Sequence, residues 1–321
     1  MLRVIFFGTP EFAVPSLEAL IGSTHQVVGA ITQPDRPRGR GHQVVAPPVK
    51  RLAIARDVPV WQPTRLRDEG WLNEVRGLEP DLGVVAAYGR ILPDVLLAVP
   101  RLGMINVHAS LLPAWRGASP VHRAVMAGEA QTGVSIMRVV TELDAGPVLA
   151  KATRPIDESE TSADVERDLA RIGAALLLPV VADLERGRAI EVPQDGTRAT
   201  FAPRLTKEDG VIDWNQPARA VHNRIRGLHP WPLASSWVGG ARLLLLRSRP
   251  AEASAEAAAV APGTVLSAGS GRLLVACASQ TALELLDVQP EGRRPMAVRD
   301  FLAGHRLTPG ERFSTGPADG A

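Results

Sequence analysis

The 321-residue sequence predicts an α/β N-terminal domain with a Rossmann-like, mostly parallel sheet, followed by a smaller C-terminal β-barrel domain. Three observations predict it. Apolar strand-like runs alternate with helical patterns up to about residue 190, as βα units of a parallel sheet do. From about residue 207 that alternation gives way to short apolar runs separated by Gly, Ser and Pro turns. The length suits two domains, and 45% hydrophobic residues supply enough apolar surface for their cores. The division reads as a domain over 1–190, a linker over 191–206, a second domain over 207–313 and a disordered tail over 314–321.

In chain order, the run at 2–7 is apolar but soon meets Pro10 and Glu11, which fits a buried first strand better than a signal peptide. Further strands are expected at 26–32, 81–87, 104–108 and 133–140, with helices at 12–22, 48–56, 67–76, 119–128 and 161–186. The first βα turn, Gly8-Thr9-Pro10-Glu11-Phe12-Ala13, lacks the glycines that let a backbone approach a pyrophosphate, and no Walker A sequence follows. A nicotinamide dehydrogenase and a nucleoside triphosphatase are thereby disfavoured. In the second half a helix near 217–226 precedes strands at 241–246, 263–266, 272–276 and 282–288, and the Ala-rich 251–261 reads as an exposed connection. The single cysteine, Cys277, excludes a disulfide framework and a multi-cysteine zinc site, and its apolar run reads as a buried strand thiol. No apolar stretch is long enough to span a bilayer, so the protein is expected to be soluble and cytoplasmic, and, with no apolar interface stripe, a monomer.

The chemistry concentrates in Asn106-Val107-His108-Ala109-Ser110-Leu111-Leu112-Pro113 and in Leu143-Asp144-Ala145-Gly146-Pro147. Strand side chains alternate faces, so Asn106 and His108 project to one side and Ile105 and Val107 to the other. A single His, or a single Asp-x-Gly turn, is ordinary structural chemistry. An amide, an imidazole and a carboxylate at the strand ends of an α/β sheet form a more specific set, because open sheets bind ligands there. Asn106 and His108 can both donate to a developing oxyanion without a covalent nucleophile.

Net charge is only +2, yet it is unevenly spread. Arg36, Arg38, Arg40, Lys50 and Arg51 meet only Asp35 over 35–51, and eight basic residues from Arg204 to Arg249 face Glu208, Asp209 and Asp213. Such patches suit contact with a phosphate backbone, although an arginine-rich surface of this kind also arises without one. In Asp35-Arg36-Pro37-Arg38-Gly39-Arg40-Gly41-His42-Gln43 the prolines and glycines rule out a continuing helix or central strand, so the segment is expected to project.

Asn106-x-His108 with Ser110-Leu111-Leu112-Pro113, Trp115-Arg116-Gly117-Ala118 and Asp144-x-Gly146 resembles the formyltetrahydrofolate-dependent formyltransferases. Phe7-Gly8-Thr9-Pro10-Glu11-Phe12, Thr32-Gln33-Pro34-Asp35-Arg36-Pro37, Ala87-Tyr88-Gly89, Ile91-Leu92-Pro93, Ile212-Asp213-Trp214 and Pro230-Trp231-Pro232 extend the likeness from about residue 3 to about 310. Within that family the branch whose acceptor is methionyl initiator tRNA is the most similar.

The resemblance implies that a formyl group moves from 10-formyltetrahydrofolate, as co-substrate, to the free amino group of methionyl initiator tRNA for translation initiation. It implies catalytic roles for Asn106, His108 and Asp144, with Asp144 orienting the ring and accepting the amine proton. It implies a folate pocket walled by Ser110, Leu111, Leu112 and Pro113 on one side and by Tyr88, Gly89, Ile91 and Leu92 on the other. It implies that the loop bearing Arg40 enters the acceptor arm of the tRNA, with Arg36, Arg38, Lys50 and Lys207 expected from the charge pattern as further RNA contacts; the C-terminal domain becomes OB-like, and no metal is required. His42 and Gln43 depart from the lysines that often follow the second glycine of this loop in the family. A sugar-nucleotide N-formyltransferase, a glycinamide ribonucleotide transformylase or a formyltetrahydrofolate hydrolase would use the same core. A non-catalytic RNA-binding protein would be expected to have lost the Asn-His-Asp set.

Overall fold

The computed structural model describes residues 1–38, 43–251 and 255–317. The chain forms two units: one of Met1–Pro120, Gln131–Pro155 and Glu166–Pro203, the other of Val121–Ala130, Ile156–Val165 and the chain from Arg204 onward.

In the first unit the strands are β1 (Arg3–Gly8), β2 (Gln26–Ile31), β3 (Arg36–Arg38), β4 (Gln43–Val45), β5 (Val60–Trp61), β6 (Leu82–Ala86), β7 (Met104–His108), β8 (Arg116–Gly117), β9 (Gln131–Arg138), β10 (Val148–Pro155) and β11 (Phe201–Ala202). The helices α1 (Val14–Ile21), α2 (Pro48–Ala55), α3 (Glu69–Gly77) and α4 (Asp94–Leu97) fall between them. Two further helices, α5 (Pro120–Ala127) and α6 (Ser162–Glu185), run through the points where the chain changes unit. The seven-stranded sheet has the order β10-β9-β7-β6-β1-β2-β5. Strands β7, β6, β1, β2 and β5 are parallel, and β9 and β10 add an antiparallel edge. The first half of the sheet grows from β1 toward β5 and the second from β1 toward β10, so the order reverses between β1 and β6. Loops leaving β1, β6 and β7 therefore open at the crevice where such sheets take ligands.

The parallel strands form because their residues are apolar on both faces. Ile5, Phe7, Ile31 and Met104 pack with Trp71, Leu72 and Val75 of α3 in one buried cluster. On the other face α6 approaches closely: a Cβ on Gly173 would lie 2.7 Å from Val107 of β7. Only glycine admits that contact, and it seals the side of β7 opposite Asn106 and His108. Strand β10 has no counterpart among the sequence expectations, because its exposed alternate residues break up the apolar signal.

The second unit contains α7 (Ala218–Gly227), the strands β12 (Ala234–Val238) and β13 (Ala241–Ala251), and the short helix α8 (Ala255–Ala258). The strands β14 (Val265–Gly269), β15 (Arg272–Ala276), β16 (Ala282–Pro290) and β17 (Met296–Ala297) and the helix α9 (Val298–Gly304) complete it. The antiparallel sheet runs β12-β13-β16-β15-β14, with β17 on β16. Residues 310–314 then pair with both ends: Gly310 and Phe313 donate to Val265 and Gly263, and Ser314 exchanges two backbone hydrogen bonds with Trp237. The sheet is thereby closed into a barrel, which removes its free edges. Its core holds Trp214, Leu243, Leu245, Leu273, Val275, Leu283, Leu285 and Phe313.

Ser314, the first residue of the expected tail, is a barrel residue, and 318–321 lie outside the described residues. The Ala-rich segment is not wholly an exposed connection either, since it carries α8 and buries Ala257. Cys277 follows β15 and is buried, and desolvation pushes its thiol up to about 12. No helix among the described residues is long and apolar enough to cross a membrane.

Candidate active site

Asn106 and His108 lie on β7 in register with Met137 and Ser135 of β9. The alternation read from the sequence holds here: Ile105 and Val107 are buried, Asn106 is half-buried, and its amide makes no hydrogen bond among the described residues. His108 is buried, and its Nε2 lies 3.1 Å from the Trp115 carbonyl oxygen. A carbonyl can only accept, so Nε2 carries a hydrogen and the ring orientation is fixed. Nδ1 then faces Asp144 Oδ2 at 3.7 Å, an ion-pair separation too long for a direct hydrogen bond. That oxygen accepts the Gly117 amide at 2.8 Å. The structure thus brings all three predicted residues to the strand ends of the first unit.

Three non-glycine residues in or beside this constellation have left-handed backbones: Ala87 (φ 46°), Trp115 (φ 63°) and Asp144 (φ 47°). Each such residue costs about 1–3 kcal/mol unless its surroundings impose it. For Trp115 the surroundings are explicit. Its N–H donates to Thr200 Oγ1 at 2.9 Å, and the next residue, Arg116, donates to the Thr200 carbonyl at 2.8 Å. In the Asp-x-Gly turn the strained residue is the aspartate; Gly146 is required for a different reason. A Cβ there would sit 2.0 Å from the Arg138 carbonyl oxygen, so the turn lies directly on β9.

The loop after β7 is pinned equally well. Ser135, fully buried on β9, donates to the Ser110 carbonyl at 2.8 Å and accepts from the Leu112 amide at 3.1 Å. Ser110 Oγ donates to the Ala114 carbonyl at 2.6 Å, and Lys151 Nζ donates to the Leu112 carbonyl. The Leu112–Pro113 peptide is cis.

The predicted wall residues divide into two groups. Gly89, with φ 82°, is exposed, as is Ile91 at 84%, and Leu111 and Pro113 are half-buried. Tyr88, Leu92, Ser110 and Leu112 are buried. The Tyr88 ring, expected on the pocket wall, stands edge-on to Phe7 at 5.6 Å in the core, because the left-handed Ala87 turns it inward. What Tyr88 offers outward is backbone: its carbonyl accepts from Thr9 Oγ1 at 3.1 Å and Gln33 Nε2 at 3.3 Å.

The predicted RNA contacts differ in kind. Arg36 is exposed on β3, which pairs with β4 in a two-stranded hairpin. Arg38 is on the same strand, and Arg40 lies outside the described residues. Lys50 is not a free surface cation: it sits on α2 and donates to Asp35 Oδ2 and Gln62 Oε1, both at 2.7 Å. Those hydrogen bonds, Lys50 first and then Gln62, hold the Asp35 carboxyl below its usual value. Lys207, in the other unit, is exposed and forms no ion pair among the described residues. Several of its basic neighbours are matched: Arg219 by Glu158, Arg247 by Asp287 and Arg249 by Glu284, while Arg226 is buried against backbone carbonyls.

Sequence reasoning missed Ser135, Thr200 and Gln194. Each acts across more than twenty residues of chain on a loop it does not adjoin, and no local spacing signals that.

Residues 2–181 match the family described as formyl transferase, and 204–306 match the formyl transferase C-terminal domain. The chain is 45% identical over 307 residues to the methionyl-tRNA formyltransferase of Pelobacter propionicus, covering 96% of this chain and 94% of that protein. It is 45% identical over 315 residues to that of Solibacter usitatus, covering 98% and 99%. Among solved structures, the sugar 3N-formyl transferase WlaRD, crystallised in the presence of dTDP and 5-N-formyl-THF, superposes with a TM-score of 0.66 at 14% identity. That match covers 92% of this chain and 99% of WlaRD, and at this identity it speaks for the fold. Matched in both halves and nearly end to end, this chain belongs to the formyl transferase family.

Proposed function

We propose that this enzyme transfers a formyl group from a folate-type donor to the amino group of methionyl initiator tRNA, giving N-formylmethionyl-tRNA. The observation that carries the reading is the near full-length identity to methionyl-tRNA formyltransferases, in a chain that keeps an amide, an imidazole and a carboxylate on one strand-end crevice. The sugar-nucleotide and purine-precursor alternatives rest on a shared fold at far lower identity, and neither they nor the hydrolase are favoured.

The donor is 10-formyltetrahydrofolate, and its residues fit a flat ring with polar edges. Ile91 and Leu143 are exposed apolar side chains on the loops beside the crevice, suited to covering a flat ring. In the reaction the amino nitrogen bonds to the formyl carbon, the carbon's bond to the folate nitrogen breaks, and the amine loses a proton. The Asn106 amide, with no hydrogen bond among the described residues, donates toward the formyl oxygen as it gains charge, and His108, its Nε2 spent on the Trp115 carbonyl, presents Nδ1 to the site beside Asp144. Asp144, held by the Gly117 amide, orients His108 and takes up the amine proton directly or through water. The acceptor stem is received by the β3–β4 hairpin through Arg36, Arg38 and Arg40, with Lys207 as a further phosphate contact; Lys50 holds the hairpin's base. The protein works in the cytoplasm as a monomer and needs no metal.

The test offers labelled 10-formyltetrahydrofolate together with methionyl initiator tRNA and a UDP-amino sugar. Label in aminoacyl-tRNA is the expected result. Label in the sugar, or formate release alone, overturns the acceptor.

A further inference from the structure

Gln194 lies in the segment that follows α6 and has no role in the chemistry above. Its amide makes four hydrogen bonds, all within the first unit. Oε1 accepts from Arg116 Nε at 3.2 Å and Nη2 at 3.0 Å. Nε2 donates to the Asp144 carbonyl at 2.8 Å and to the Gly146 carbonyl at 2.7 Å. The amide's orientation is dictated by its partners: a guanidinium can only donate, and two carbonyls can only accept.

Arg116 itself is 5% exposed, and its only carboxylate partner among the described residues is the exposed Glu142, 3.4 Å from Nη1. A buried guanidinium is therefore satisfied chiefly by a neutral amide, which is costly unless that amide is held in turn. It is held by the very turn that presents Asp144. The strained φ of 47° at Asp144, the Gly146 contact with β9 and the Gly117 amide on Oδ2 leave the carboxylate one position, and Gln194 fixes the turn from behind. The same stretch supplies Thr200 to Trp115, whose carbonyl orients His108.

We propose that Gln194, seated on Arg116, is a positioning residue that sets the placement of the Asp144 carboxylate against His108. The proposal rests on the reading of Asp144 and His108 as catalytic. Catalysis is steep in such placement: a shift on the order of 1 Å can cost about 100-fold in rate. Gln194→Ala should lower kcat on the order of 100-fold, with KM for tRNA and for folate held within about threefold, because the Gln194 amide is spent on Arg116 and the Asp144 turn. Gln194→Glu should be as impaired despite its matching size, since an ionised carboxylate would set an oxygen against the Asp144 and Gly146 carbonyls.

The deciding measurement is a double-mutant cycle on the full chain, with circular dichroism and thermal melts confirming each variant folded. In an Asp144→Asn background, Gln194→Ala should cost little further kcat, since its target is gone. Equal losses of kcat from Gln194→Ala in both backgrounds, or a Gln194→Ala enzyme with wild-type kcat, would overturn the proposal. Absence of formyl transfer by the wild-type enzyme would instead overturn the function on which it rests, so the two failures are distinguishable.

Discussion

Two Gly- and Pro-bearing segments of the first unit, 109–117 and the β3–β4 hairpin, are alike in composition and opposite in construction. The first is tied down along its length: Ser135 takes two of its backbone groups, Lys151 another, and Thr200 two more. Among the described residues the second is tied to the rest of the unit at its base, where Asp35, Lys50 and Gln62 join in one hydrogen-bonded cluster, while Arg36 and Val44 beyond it are exposed. The difference teaches that loop composition says where a chain can turn, while long-range partners decide whether it is rigid.

The contrast breaks most sharply on the side chains proposed to act in catalysis. Asn106→Ala, His108→Ala and Asp144→Ala should each lower kcat by about 10²–10³-fold while thermal melts stay near wild type. A folded His108→Ala enzyme with near-normal turnover removes the imidazole from the chemistry. Ser135→Ala tests the pinned loop itself. It strands the buried Leu112 amide and the Ser110 carbonyl, so denaturant titration should show a loss of about 1–3 kcal/mol, accompanied by reduced kcat.

For the hairpin, Arg36→Ala should raise KM for tRNA with little change in kcat, and the slope of log KM against log salt should fall by about one. A fall in kcat at constant KM would mean that the hairpin serves the reaction and does not merely bind. The smallest effect is a control in the other unit. Burial pushes His222 below its usual imidazole value, with the Glu158 carbonyl opposing. The folded ring takes up its proton less readily than the unfolded one, so stability is complete above the unfolded value of 6.5 and declines as pH falls below it. Melting temperature should drop between pH 7.5 and 5.5, and His222→Gln should flatten that drop. A wild-type profile already flat across this window contradicts the assignment.

Much of the fold could be read from the sequence, because apolar periodicity is a local signal and the sheet is built from it. The expected span 104–108 coincides with β7, and 161–186 differs from α6 by one residue at each end. The same-face relation of Asn106 and His108 follows from strand geometry alone. What stayed hidden depends on distant partners. Nothing near Tyr88 announces that a left-handed Ala87 turns its ring into the core, and nothing near Lys50 announces Gln62. The barrel's closure through 310–314 was lost for a similar reason, since a few polar residues beside Gly310 carry no strand signal of their own.

The second unit draws Val121–Ala130 and Ile156–Val165 from the first half of the chain, and this makes the protein indivisible at any one peptide bond. His122 and Ser162 both bond the Gly227 carbonyl that ends α7, the Glu158 carbonyl receives His222, and the carbonyls of Asp157 and Glu160 receive the buried Arg226. A fragment beginning at residue 204 would lose the carbonyl acceptors of a buried guanidinium and imidazole, leaving them only Asn223 and Ser248. Exchange of such halves between relatives, whether by recombination or at the bench, must therefore carry three pieces of sequence together to yield a folded hybrid.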